Sequence, residues 1–157
     1  MYPKPPLHIQ ETKYSCMPAC LRMVMESMGV SVTEQEIREK SNCLPDSLGP
    51  LAGTDTRDLV QAARGFGFAG TFSCKFDIDG LRETLETGAF PIVEIRTRLE
   101  AGKPYTRHAV IVVKIGASDV EVLDPWLGER SLLIEQFLQE WGGTCQTTII
   151  VERSEES

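Results

Sequence analysis

Apolar residues recur at helical spacing along the first half of the chain and gather into short unbroken runs along the second. In SCMPACLRMVMESMG, Met17, Leu21, Val24 and Met28 fall on one helical stripe. Ser15 is placed to cap the start of that helix and Gly29 to stop it. Pro18 lies in the first turn, where a missing N–H breaks no bond. Thr33 and Glu36 form a capping box that opens a second short helix. DTRDLVQAARGFG predicts a third helix, and DGLRETLETG a fourth that ends at Gly88. After that the pattern changes. FPIVEIR predicts a strand, HAVIVVKIG a second that is apolar enough to be buried, and VEVLD a third. The short GASD between the last two predicts a hairpin. LIEQFLQEWGG predicts a short helix and CQTTIIVE a closing strand. Helices gathered ahead of strands predict an α+β fold, with N-terminal helices packed on a C-terminal antiparallel sheet.

The length of 157 residues fits a single domain. Its expected core spans about 7–151, between a loose head, MYPKPP, and a loose tail over 152–157. The net charge of −7 argues against a nucleic-acid or anionic-membrane binder, whose footprint is basic. No run reaches the roughly 18 apolar residues of a membrane span, and the N-terminus lacks the apolar core of a signal peptide. No membrane insertion and a cytoplasmic location are therefore expected. Five cysteines, an odd count, argue against a disulfide framework in such a compartment. Cys16 and Cys20 in C-x3-C, with Cys43 and Cys74 scattered behind, make poor zinc spacing, and the C-x-x-C of a redox pair is absent. No metal and no cofactor are expected.

One of these cysteines has a distinctive position. Cys16 stands at the mouth of the first helix, on the shoulder of its apolar stripe, while Cys20 leans toward that stripe. Free N–H groups and the positive end of the helix dipole favour a thiolate at that mouth. The opposing view of Cys16 is a small hydrophobe on a helix, the commoner fate of a cysteine. A thiolate nucleophile needs a base, and the chain has two histidines. His8 lies in the Pro-rich head. His108 opens the most apolar strand, where a ring can face a cleft while its strand is fixed in the core. Asp124 ends the next strand, before Pro125 and Trp126, and is placed to orient the imidazole. A strict four-residue loop over 116–119 puts His108 and Asp124 on opposite faces, so an odd loop or a bulge is required. As an Asp-Pro residue, Asp124 also suits a plain turn. Gln10, six residues before Cys16, can loop back to the helix mouth and join the backbone N–H of Cys16 in stabilising an oxyanion.

Taken together, Gln10, Cys16, His108 and Asp124 stand in papain-like order. The blocks Q-x5-C-x-P-A-C-L-x-M-V and HAVIVVKI…VEVLDPW resemble the papain-like cysteine peptidases of family C39, which process bacteriocin precursors at the front of certain ABC exporters. DTRDLVQAARGFGF and LRETLETGAFPIVEI resemble that family's middle section, so the likeness spans roughly 7–151. The resemblance implies Cys16 as nucleophile, His108 as base and then acid, Asp124 as its orienter and Gln10 as oxyanion donor. It also implies a peptide or precursor-protein substrate, cut after a Gly-Gly pair. The family usually has an acid or amide before the cysteine and a glycine after it; here Ser15 and Met17 take those places. With no transporter segment in the sequence, the chain reads as a freestanding domain or one taken from a larger protein. Two other classes compete with hydrolysis: a catalytically silent peptide-binding domain, and a papain-like transferase in which an amine captures the thioester.

Overall fold

A computed structural model describes residues 2–154. α1 (Cys16–Ser27) and α2 (Glu34–Lys40) are followed by a 3-10 segment, Asp46–Leu51, and by α3 (Thr56–Gly65). Then come β1 (Phe68–Ser73), α4 (Ile78–Glu86), β2 (Ile92–Thr97), β3 (Thr106–Ile115), β4 (Asp119–Asp124), β5 (Gly128–Leu133), α5 (Ile134–Gly142) and β6 (Thr148–Arg153). The six strands form one sheet in the order β1-β6-β2-β3-β4-β5, with every pairing antiparallel. The fold class is α+β, and every predicted helix and strand is present. Among the described residues no helix is long and apolar enough to cross a membrane.

Four features differ from expectation. β1 lies between α3 and α4 and pairs with β6, so strands are not confined to the second half. Its burial pattern leaves only Phe68 and Gly70 inside, too weak an alternation to announce a strand. β5 is an edge strand, Gly-Glu-Arg-Ser-Leu-Leu, in which only Leu132 is fully buried. The supposed tail also begins too early. Glu152 and Arg153 pair with Ala69 and Phe68, and the Arg153 guanidinium bonds the Met28 carbonyl and lies over the Tyr2 ring. Residues 155–157 lie outside the described residues. The head is tied down too, through a buried Pro5 and an ion pair between Lys4 and Glu129.

The sheet separates two cores. On one face Ala109, Ile111, Leu123, Ile149 and Val151 pack with α1, α2 and α3; on the other Val93, Ile95, Val110, Val112, Val120 and Val122 pack with α4 and α5. Helices therefore cover both faces, and this explains why β3 reads as a continuous apolar run. Met17, Leu21, Val24 and Met28 are all buried, but so are Ala19, Cys20, Met23 and Met25. α1 is thus enclosed nearly all round, and its position is fixed on every side.

Candidate active site

The β3–β4 hairpin begins in the register that a four-residue loop dictates, with Ile115 opposite Val120 and Lys114 opposite Glu121. It then shifts. Val112 faces Val122 and Ile111 faces Leu123, leaving Val113 as the extra residue of a bulge. Because side chains alternate with period two, this one residue moves His108 onto the same face as Asp124. His108 Nε2 meets Asp124 Oδ1 at 2.7 Å, with the two side chains 2% and 0% exposed.

Asp124 is held by four groups. Besides His108, its Oδ1 accepts the N–H of Trp126 at 2.8 Å and of Leu127 at 3.1 Å, and its Oδ2 accepts Arg130 Nη1 at 2.9 Å. It is therefore both a turn residue and an imidazole partner. Burial alone would push its carboxyl upward. The hydrogen bond and charge of His108, with the two backbone N–H groups, overcome this and hold it below the usual carboxylate range. For His108 burial opposes the charged ring, but the bond to Asp124, the Cys16 side chain and both neighbouring charges raise it to about 9. A protonated imidazole at neutral pH follows. With Nε2 committed to Asp124, Nδ1 is the ring nitrogen left for Cys16.

Cys16 is half-buried at the first residue of α1, and Cys20 is fully buried one turn on. Burial comes first among the effects that push the Cys20 thiol up, followed by the charges of Cys16 and Asp124, so Cys20 is held as an inert thiol. Ser15 is the N-cap residue but does not cap with its side chain. Its hydroxyl turns back to Thr12, donating to the carbonyl at 3.2 Å and accepting the N–H at 3.1 Å. The first bonded N–H of the helix belongs to Ala19, which reaches the Ser15 carbonyl. The N–H groups of Cys16 and Met17 thus stay open at the helix mouth beside the sulfur.

Gln10 arrives where the sequence placed it, but in a different posture. Its backbone N–H bonds the Pro125 carbonyl at 2.8 Å, tying the incoming segment to the Asp-Pro turn. Its Nε2 donates to the carbonyls of Thr12 and Lys13 at 2.9 and 3.0 Å, and its buried Oε1 has no partner among the described residues. Those two carbonyls stand four residues before Cys16 and Met17 and would otherwise be their helical acceptors. The Gln10 amide therefore keeps the helix mouth open. His8 takes no part in the site and pairs with Glu26 of α1 at 2.8 Å.

The 44–53 loop lies against the segment leading into Cys16. Asp46 accepts the Lys13 N–H at 3.0 Å, and Leu44 pairs with Gly53. Gly53 has φ +95°, and a Cβ there would come within 2.9 Å of the Tyr14 carbonyl. This loop leaves Leu44, Leu48 and Leu51 exposed, while Leu7, Ile9 and Leu127 are exposed around the Asp-Pro turn. The 98–105 loop makes a stacked Arg98–Tyr105 pair, and Arg107, at the start of β3, binds Glu94. The residue that sequence reasoning missed is Arg130. It sits on the unrecognised β5, and only the pairing of Val122 with Arg130 carries it to Asp124.

A helix on one side of an antiparallel sheet, with the imidazole and carboxylate on adjacent strands, is the arrangement of a papain-like peptidase domain. The chain belongs to the Peptidase C39 family, whose model it matches over residues 4–156. It is 27% identical over 138 residues to the lactococcin-G-processing and transport ATP-binding protein LagD of Lactococcus lactis subsp. lactis. That match takes in 85% of this chain but 17% of the relative. Among solved structures, it resembles the peptidase domain of Streptococcus ComA, a bi-functional ABC transporter of a quorum-sensing pathway, with TM-score 0.75 and 24% identity, covering 94% of this chain and 98% of that one. It also resembles a double glycine motif protease from an AMS/PCAT transporter, solved in complex with the leader peptide, with TM-score 0.69 and 19% identity, covering 98% of this chain and 94% of that one.

Proposed function

We propose that this chain is a cysteine peptidase that cuts leader peptides after small residues through an acyl-enzyme on Cys16. The observation that carries this reading is the buried His108–Asp124 pair with the Cys16 side chain acting on the imidazole. The thiolate adds to the scissile carbonyl, and His108 gives its proton to the leaving amine. Water, deprotonated by the same ring, then cleaves the thioester. Asp124 keeps Nε2 occupied, so the proton moves through Nδ1.

The oxyanion is taken first by the open N–H of Cys16. Gln10 becomes the second donor when one of its Nε2 bonds to Thr12 or Lys13 is exchanged for the substrate oxygen. Such bonds tighten on the reacting centre when the substrate arrives. The peptide runs past the exposed leucines of the 44–53 loop. Its source is a precursor exported by a transporter, as the names of the relatives suggest.

Incubation with synthetic peptides carrying a Gly-Gly pair, read by mass spectrometry, tests this reading. The expected result is one cut behind the pair, absent in Cys16→Ala and His108→Ala. A Cys16→Ala protein that still cuts would end the proposal. Gln10→Ala should lower the rate by roughly 10²–10³, the usual loss for one oxyanion donor.

A further inference from the structure

Glu34 is a buried carboxylate that the reaction above does not use. It sits in the first turn of α2, where an acid ordinarily points to solvent and serves the helix dipole. Here it is 1% exposed and turns inward. Its Oε1 and Oε2 both accept the Glu11 N–H, at 3.0 and 3.2 Å. Glu11 follows Gln10, and Ser15 precedes Cys16. The carboxylate thus grips the start of the segment that runs from the amide to the thiol, and the Ser15 hydroxyl, bonded to Thr12, closes its end. Arg38 stands at 3.7 Å from it and also reaches Glu11, whose own carboxylate neighbours Arg22 at 3.6 Å.

The geometry points to Glu34 as a positioning residue for the oxyanion site: it holds residues 11–15 in the turn that leaves the Cys16 and Met17 N–H groups open. This rests on the peptidase reading above. Without the brace, the carbonyls of Thr12 and Lys13 are free to swing into helical bonding and close the mouth. Burial is the largest cause that pushes Cys20 and Cys43 up, and the negative charge of Glu34 adds to it in both, so it activates neither of those thiols. The brace acts on the oxyanion site and not on the sulfur's own reactivity.

Two probes separate those effects. With p-nitrophenyl acetate, the thiolate adds to the ester carbonyl, a C–S bond forms, and the C–O bond breaks to release nitrophenolate. Water then cleaves the thioester to acetate and restores the thiol. Iodoacetamide alkylates the same sulfur by displacing iodide and forms no oxyanion. Glu34→Met keeps the volume and removes the acceptor, leaving Arg38 with Glu11 alone. It should lower Cys16-dependent nitrophenolate release about tenfold to a hundredfold, part of what a lost oxyanion donor costs. Alkylation of Cys16 should be unchanged or faster. Glu34→Gln keeps one acceptor oxygen in place and should recover most of the acylation rate. Should Glu34→Met fail to fold, Glu34→Asp, which withdraws the carboxylate by one methylene, should show the same split. Parallel loss of both reactions, or undiminished acylation in Glu34→Met, would overturn the assignment. A parent protein that releases no nitrophenolate through Cys16 would instead overturn the peptidase reading itself.

Discussion

Asp124 is a carboxylate with no solvent, and the Arg130 cation on its far oxygen tempers how strongly it pulls on the imidazole. The charged and titratable groups that face this pair among the described residues include Cys16 and Cys20 from α1 and Arg130 from β5. Arg130→Met removes the cation and leaves the full negative charge on His108. The ring should then keep its proton to higher pH. The alkaline limb of kcat/KM, expected near 9 in the parent from the raised imidazole, should move upward as the rate falls severalfold. An unmoved limb would make Arg130 merely structural. The residues Cys16, His108 and Asp124 were legible because each carries its own local signal: a helix mouth, a strand start and an Asp-Pro turn. Arg130 carried none, since its meaning comes from a cross-strand partner. Glu34 was legible only as part of a capping-box helix, because nothing local tells which first-turn acid turns inward.

Elements set the angles at which these residues meet. The number of residues between His108 and Asp124 shows that a bulge or an odd loop is needed, but not which. The structure resolves it at Val113, inside β3 and away from the loop. β1 and β5 escaped notice for a shared reason: few of their side chains are buried, so neither shows the alternation of a half-buried strand. The 44–53 loop offers a direct test of how loop geometry supports the site. Gly53→Ala places a Cβ against the Tyr14 carbonyl in a left-handed conformation. It should destabilise the protein by about 1–3 kcal/mol. Because Tyr14 leads into Cys16, the proposed nucleophile, kcat should fall as well. A thermal melt and a peptide assay check the two effects, and a Gly53→Ala protein as stable as the parent would contradict the close approach.

At the scale of the molecule, the buried ion pair ties folding to pH. His108 is raised from 6.5 to about 9, so its contribution is full below the unfolded value and is lost as pH rises through about 9. Asp124 is lowered, so its share is present above about 3.8 and lost as pH falls below that. One interaction underlies both. Stability should therefore plateau between about pH 4 and 6.5 and then decline toward pH 9, by on the order of 3 kcal/mol at most. Urea melts across that range measure it. His108→Gln should flatten the alkaline decline, and a parent protein equally stable at pH 6 and 9 would show that the imidazole is not held charged. The α+β class was legible in the separation of helical and strand periods. Helices on both faces were foreshadowed by one fact, the unbroken apolar run of β3.

The sheet order has a consequence for how the molecule comes into being. β6 is made after every other strand, yet it lies between β1 and β2. Until residues 148–153 have left the ribosome, β1 lacks the strand it pairs with, and that flank of the sheet cannot close. The β2–β5 meander, which carries His108, Asp124 and Arg130, needs only strands adjacent in sequence and is free to assemble sooner. Synthesis thus allows the strands that carry the His108–Asp124 pair to come together first. The clasp of Arg153 on the carbonyl of Met28, just past the far end of the helix that Cys16 begins, follows them.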